Sequence, residues 1–170
     1  MRGGGDRGRV VDAGAGAGFG ADGLLAFLQC LADQGAVVTL EAGPSAVPLW
    51  RLRVLGRDAE AVRASAGECV RTVVPALTGT GADGSTYVIP SDVARSAGIE
   101  GTGVLLLDWL VEQGARVFLK ADGDRPRPGW TLLVREGPLP TRLRADGPTG
   151  GRCLAALVTA LRSHGVVVPV

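Results

Sequence analysis

The sequence predicts an α+β protein made by internal duplication of a β-α-β-β-(β)-α unit, with the helices on one face of each mainly antiparallel sheet. Three observations carry that expectation. Residues 27–43 (FLQCLADQGAVVTLEAG) align without a gap on residues 106–122 (LLDWLVEQGARVFLKAD). Eight of these seventeen positions are identical: 28/107, 31/110, 34/113, 35/114, 36/115, 38/117, 40/119 and 42/121. In the second part of the stretch the identities fall at every second residue, Val38, Leu40 and Ala42 against Val117, Leu119 and Ala121. That is the spacing of one strand face, so one face keeps its packing partners while the other differs. The remaining matches follow in the same order, Trp50 with Trp130 and then Cys69 with Cys153. The offset grows from 79 to 80 to 84 across them (114 − 35, 130 − 50, 153 − 69), and the changes fall in turns, where insertions are tolerated.

The elements follow in order. Residues 1–8 are rich in glycine and charge and read as a disordered lead-in. Residues 9–79 form the first repeat, 80–86 a linker, and 87–170 a second repeat packed on the first. Arg9 to Asp12 reads as a short strand. A helix follows from Leu24 to Gln34, with Asp22 as its cap and Gly35 as a left-handed stop. Ala36–Ala42 and Trp50–Leu55 read as strands, and Ala61–Ala64 as an edge strand. Ser65 and Glu68 form a capping box for a helix reaching about Leu77, with Pro75 set to kink or shorten it.

The second copy repeats the order. Tyr87–Ile89 matches Arg9–Val11, and Thr102 reads as the cap of a helix from Val104 to Gln113. Strands are expected over Ala115–Ala121, Trp130–Arg135 and Thr141–Ala145, and Thr149 caps a helix over Gly151–Ser163. The valine-rich tail after Gly165 reads as an edge strand ended by Pro169.

Composition excludes several classes. The 170 residues are 46% hydrophobic and 21% charged, the balance of an ordered globular chain. Each copy is close to the smallest size that holds its own core, so the halves should bury surface against each other. No apolar run reaches the ~18 residues of a membrane span. The first ten residues lack the apolar core of a signal peptide, and a cytoplasmic protein is expected. A net charge of +1 supplies no strong field to attract nucleic acid or membrane. Cys30, Cys69 and Cys153 are odd in number and form no CxxC pair, so neither zinc nor a disulfide framework is indicated. Cys69 and Cys153 read as buried small apolar residues. His164 is the single histidine. No catalytic residue, metal site or cofactor is expected.

One motif points elsewhere. Arg9 to Gly18, RVVDAGAGAG, is a strand ending in an acidic residue, followed by Gly-x-Gly-x-Gly and a helix. It resembles the first motif of class I S-adenosylmethionine-dependent methyltransferases, in which a glycine turn lets the backbone approach the cofactor. By that resemblance Asp12, Gly14, Gly16 and Gly18 would line the cofactor pocket, and Glu41 would take the ribose hydroxyls. Gly18, Gly20 and Gly23 also fit the dinucleotide spacing. The resemblance covers residues 9–41.

The remaining candidate is a surface. Strand parity puts Arg116, Phe118, Lys120, Arg135, Arg142 and Arg144 of the second copy, with Arg51 and Arg53 of the first, opposite the helices. Val37, Leu55 and Leu133 share that face. Three uses fit it: packing of one sheet on the other with arginines at the rim, a protein partner or self-association, or single-stranded nucleic acid held by stacking and charge. The α-β-β-β-α order also resembles double-stranded-RNA-binding domains. Their second helix starts with lysines, whereas residues 65–71 and 149–155 contain none, so that function is not carried over. The expected function is a non-enzymatic binding module that engages a protein. The alternatives are cofactor binding through residues 12–23, and nucleic-acid binding through the second repeat.

Overall fold

The computed structural model describes residues 22–169 apart from 46, 48, 82–83, 85, 98–100 and 128. The lead-in 1–8 and the strand expected at Arg9–Asp12 lie outside the described residues. The first half comprises α1 (Gly23–Asp33), β1 (Val37–Gly43), β2 (Leu49–Leu55), β3 (Ala59–Arg63) and α2 (Ala66–Thr78). A short helix, α3 (Ser91–Ser96), stands between the halves. The second half comprises α4 (Thr102–Glu112), β4 (Ala115–Asp122), β5 (Gly129–Glu136), β6 (Leu143–Gly147) and α5 (Gly150–Ser163). The protein is α+β, and all described strands belong to one antiparallel sheet, ordered β3-β2-β1-β4-β5-β6.

That order corrects the expectation that one sheet packs face to face on another. The halves join edge to edge through β1 and β4, with Leu40 opposite Leu119, Val38 opposite Ala121 and Ala42 opposite Val117. These six residues, with Leu28, Leu31, Trp50, Leu107, Leu110 and Trp130, are buried beneath the helices. The alternation that predicted the strand faces therefore holds, and each helix covers its apolar stripe against the same side of the sheet.

Asp22 organises the helix starts. Its Oδ1 accepts from the amides of Leu24 at 3.0 Å and Leu25 at 3.2 Å, capping α1 as expected. Its Oδ2 accepts from the amides of Gly103 at 2.9 Å and Val104 at 3.3 Å, so the same carboxylate caps α4. Thr102 is therefore not the cap. The N-cap position belongs to Gly101, whose helix start is satisfied from the other half of the chain. Glycine is required there by space, since a Cβ on Gly101 would stand 2.5 Å from Asp22 Oδ2. The other caps match expectation. Ser65 Oγ accepts from Glu68 N at 3.2 Å and Thr149 Oγ1 from Arg152 N at 3.3 Å. Gly35 and Gly114 end their helices with φ of 86° and 85°. Pro75 lies inside α2, which runs on to Thr78.

Two indoles tie each half to the other's helix. Trp50 Nε1 donates to Asp108 Oδ1 on α4 at 2.8 Å, and Trp130 Nε1 donates to Gln29 Oε1 on α1 at 2.7 Å. Two expected strands are absent. Tyr87–Ile89 lies outside any strand, and residues 166–169 follow α5 without strand pairing. Val166 and Val168 instead pack partly buried on the core.

Leu119→Ala should lower the unfolding free energy by about 2–5 kcal/mol in denaturant titration, because it empties a fully buried site at the seam. Lys120→Ala, on the other face, should cost under ~1 kcal/mol. An equal loss from both would refute the sidedness of β4. Asp22→Ala removes the cap of two helices at once. At ~0.5–2 kcal/mol per cap, it should cost about 1–4 kcal/mol, and a neutral result would refute the shared cap.

Candidate functional site

The sheet side opposite the helices has no covering layer among the described residues. Its side chains are set by strand register. One row across the sheet runs Val62, Arg51, Glu41, Phe118, Leu133 and Arg144. The next runs Glu60, Arg53, Thr39, Lys120, Thr131 and Asp146. The structure thus brings Arg51, Arg53, Arg116, Phe118, Lys120, Arg135 and Arg144 to one surface, as parity predicted. Arg142 is exposed just ahead of β6 and outside any strand.

Most of these cations are paired. Arg51 and Arg53 both reach Glu60, at 3.3 and 3.5 Å. Arg116 meets Glu136 at 3.3 Å, Lys120 meets Asp122 at 2.8 Å, and Arg144 meets Asp146 at 2.7 Å. Arg125 joins Asp122 at 2.8 Å. The hydrogen bond from Lys120, with the charges of Lys120 and Arg125, holds the Asp122 carboxyl below its ordinary range. Hydrogen bonds from Arg144 and Thr131 do the same for Asp146. These carboxylates stay ionised and neutralise the arginines beside them. Sequence reasoning missed the acidic partners, although the alternation of Glu60 with Ala59 and Ala61, and of Asp146 with Ala145, put them on this face.

At one end the pattern opens into a groove of about 650 Å³. Phe118, Leu133, Val62 and Leu49 supply apolar surface, and Glu41, Arg51, Arg116 and Arg135 surround it. Phe118 and Leu133 face each other across β4 and β5 and are half-buried. Among the described residues, Arg135 and Glu41 make no ion pair. Leu49, 47% exposed, widens the apolar floor.

The residues of the methyltransferase resemblance divide. Asp12, Gly14, Gly16 and Gly18 lie outside the described residues. Glu41 lies within β1, opposite Arg51 and Phe118, and the strand runs on to Gly43. The doubly wound fold behind that motif is a parallel sheet, whereas every strand pairing among the described residues is antiparallel.

Other reactive side chains are placed as follows. Cys69 and Cys153 are buried under β2–β3 and β5–β6. Cys69 Sγ lies 3.2 Å from the carbonyl of Trp50. Burial raises both thiols, Cys153 to about 11. His164 is an exposed helix end. Among the described residues, no group of three or more His, Cys, Asp or Glu is placed to hold a metal ion. None of the described helices is long and apolar enough to cross a membrane. Comparison with protein-family models, curated proteins and solved structures yields no match for this chain.

At pH 8 a thiol titrating at about 11 is only on the order of one part in a thousand thiolate. Iodoacetamide should therefore modify the half-exposed Cys30 first and leave Cys69 and Cys153 unmodified until denaturant is added. Mass mapping that finds Cys153 alkylated in the native protein would show that α5 is not seated on β5 and β6.

Proposed function

We propose that this chain is a non-enzymatic binding module built from two similar repeats, and that it engages a protein partner through the uncovered sheet face. The observation that carries this reading is the groove. It gathers an aromatic, several aliphatic side chains and arginines on a sheet face that no other described residue covers. Interface cores are enriched in aromatics and arginine. Six strands at ~4.8 Å spacing and seven residues at ~3.3 Å give a planar footprint on the order of 550 Å², near the ~800 Å² per partner of a standard interface.

Charge separates a protein from a nucleic acid as partner. A nucleic-acid surface needs cations free to replace counterions on phosphates. Here Arg51, Arg53, Arg116, Lys120 and Arg144 already lie against carboxylates, and the net charge is +1. Stacking surfaces for single strands use several aromatics, and among the described residues this face supplies Phe118 alone.

The repeat is the other part of the reading. Residues matched by sequence at an offset of 79 meet in the seam, Leu40 against Leu119. The indole bonds follow the same rule, since Gln29 and Asp108 differ by 79 (108 − 29) and hold the matched Trp130 and Trp50. An approximate two-fold axis between Leu40 and Leu119 accounts for both. We place the first repeat in residues 9–79 and the second in 87–170.

A photo-crosslinking residue in place of Leu133 should capture one defined protein in the native cell, and Phe118→Asp or Arg135→Glu should abolish that adduct without shifting the unfolding midpoint. Calorimetry with S-adenosylmethionine and filter binding with single-stranded RNA should give no signal. Micromolar binding of either ligand, or an adduct indifferent to both substitutions, would overturn the proposal.

A further inference from the structure

Two like charges stand opposite each other at the groove. The register of β4 and β5 sets Arg116 against Arg135, and both side chains are exposed. Directly opposed residues of an antiparallel pair bring their Cβ atoms to about 5 Å, where like charges destabilise the sheet. The stem of Arg116 lies over Gly43 of β1, its Cγ 3.4 Å from where a Cβ on Gly43 would stand. Both residues line the groove, and so does Arg135.

The fold answers this pair with a carboxylate in a strained position. Glu136 is opposite Ala115 in the ladder. Ala115 is fully buried under the helices, so strand parity assigns Glu136 to that side. Its backbone is left-handed instead, with φ of 63°, and among the described residues no other non-glycine has a positive φ. Side chains rarely adopt that conformation, and it gathers at binding sites. The Glu136 carboxylate meets Arg116 Nε at 3.3 Å, on the open face. The two side chains are 61% and 59% exposed, so water screens the bond and another carboxylate can take its place.

We infer that the Arg116–Arg135 pair receives a carboxylate of the protein partner, and that the groove takes an extended segment whose acidic and apolar residues stand two positions apart. The inference rests on the protein-binding role proposed above and names the chemistry of that partner. Phe118 and Leu133 lie two residues from Arg116 and Arg135 along the same strands, and they face each other. Two residues of extended chain span about 6.6 Å, which is also the step between neighbouring side chains on one side of a bound segment. An acidic side chain over the arginines therefore puts the apolar one over Phe118 and Leu133. The carboxylate accepts charge-assisted bonds from both guanidiniums and replaces Glu136 at Arg116. A lone carboxylate gains little at so exposed a place. Affinity needs the apolar contact as well, which a small carboxylate anion does not bring.

Phage display of random heptapeptides on the immobilised full-length chain tests this. Asp or Glu should be enriched roughly tenfold or more two positions from Leu, Ile, Met or Phe, the worth of a charge-assisted hydrogen bond. Arg135→Glu should invert that selection to Lys or Arg. It also sets a carboxylate against Arg116, so the unfolding midpoint should not fall. Glu136→Gln frees Arg116 and should tighten a selected peptide by up to roughly fivefold in fluorescence anisotropy, the size of an exposed ion pair. Selected peptides with no acidic preference, or an acidic preference that survives Arg135→Glu, would overturn the inference. So would oligouridylate that displaces the selected peptides. A Leu133 adduct abolished by Phe118→Asp, with no acidic selection, would sink the carboxylate inference alone. No adduct and no selection would sink the protein-binding role with it.

Discussion

The pairing of β1 with β4 is the constraint on which the rest depends. Each half alone would end in a three-stranded sheet with β1 or β4 as an unpaired edge, a row of backbone donors and acceptors open to any other chain. Joining those edges turns two liabilities into the centre of one sheet. The seam is apolar on the helix side and charged or polar on the other: Leu40 and Leu119 lie beneath the helices, while Thr39 faces Lys120 and Glu41 faces Phe118. A one-residue slip would put Lys120 and Glu41 into the core, so the hydrophobic pattern fixes the register.

The braces above the seam follow from its geometry. Burying a carboxylate is costly unless its oxygens are satisfied. Asp22 is 4% exposed, and both of its oxygens receive backbone amides, two from each of two helix starts. Two helix N-termini converging on one carboxylate also place their positive dipole ends around a negative charge. Converging helix starts would otherwise repel, so Asp22 holds α1 and α4 together where they meet. The indole bonds of Trp50 and Trp130 brace the same two helices further along. Gly101 and Gly103 admit the carboxylate because a Cβ at either would stand under 3 Å from it.

How much of this the sequence shows depends on the range of each interaction. The strand faces and the helix stripes were legible, because period 2 and period 3.6 are local and the second copy repeats them. The caps at Ser65 and Thr149 were legible for the same reason, since cap and amide are three residues apart. Thr102 misled because the true cap of α4 is Asp22, eighty-one residues from Gly103, and no local spacing encodes it. The six residues of α3 are too few to show a helical period. Tyr87–Ile89 carries strand composition, yet the backbone of Val88 at its middle bonds to the Gln34 side chain, a partner that periodicity does not reveal. The members of the open face were legible by parity. Their pairing into rows was not, because it requires the order of β2, β1, β4 and β5 across the sheet, and that order was expected to break between two sheets.

Among the described residues the open face has no covering layer, and charged and polar cross-strand rows line it. Arg53, Lys120 and Asp146 share one row with Thr39 and Thr131; Arg53 reaches Glu60 on the neighbouring strand, while Lys120 and Arg144 reach Asp122 and Asp146 two residues along their own strands. Charges on this row discourage stacking against another copy. Phe118 and Leu133 sit beside groups that lack that protection, because Glu41 in their row and Arg135 in the adjoining row make no ion pair among the described residues. A partner that supplies a cation to Glu41 and a carboxylate to Arg135, with an apolar side chain over Phe118, would satisfy what the fold leaves unsatisfied. The paired row beside it would then set the rim, adding orientation but little affinity, since exposed ion pairs contribute roughly 0–1 kcal/mol each. On that reading a partner's charges would be selected at the end of β1, β4 and β5, where Glu41 and Arg135 flank the groove beside the Arg116–Glu136 pair.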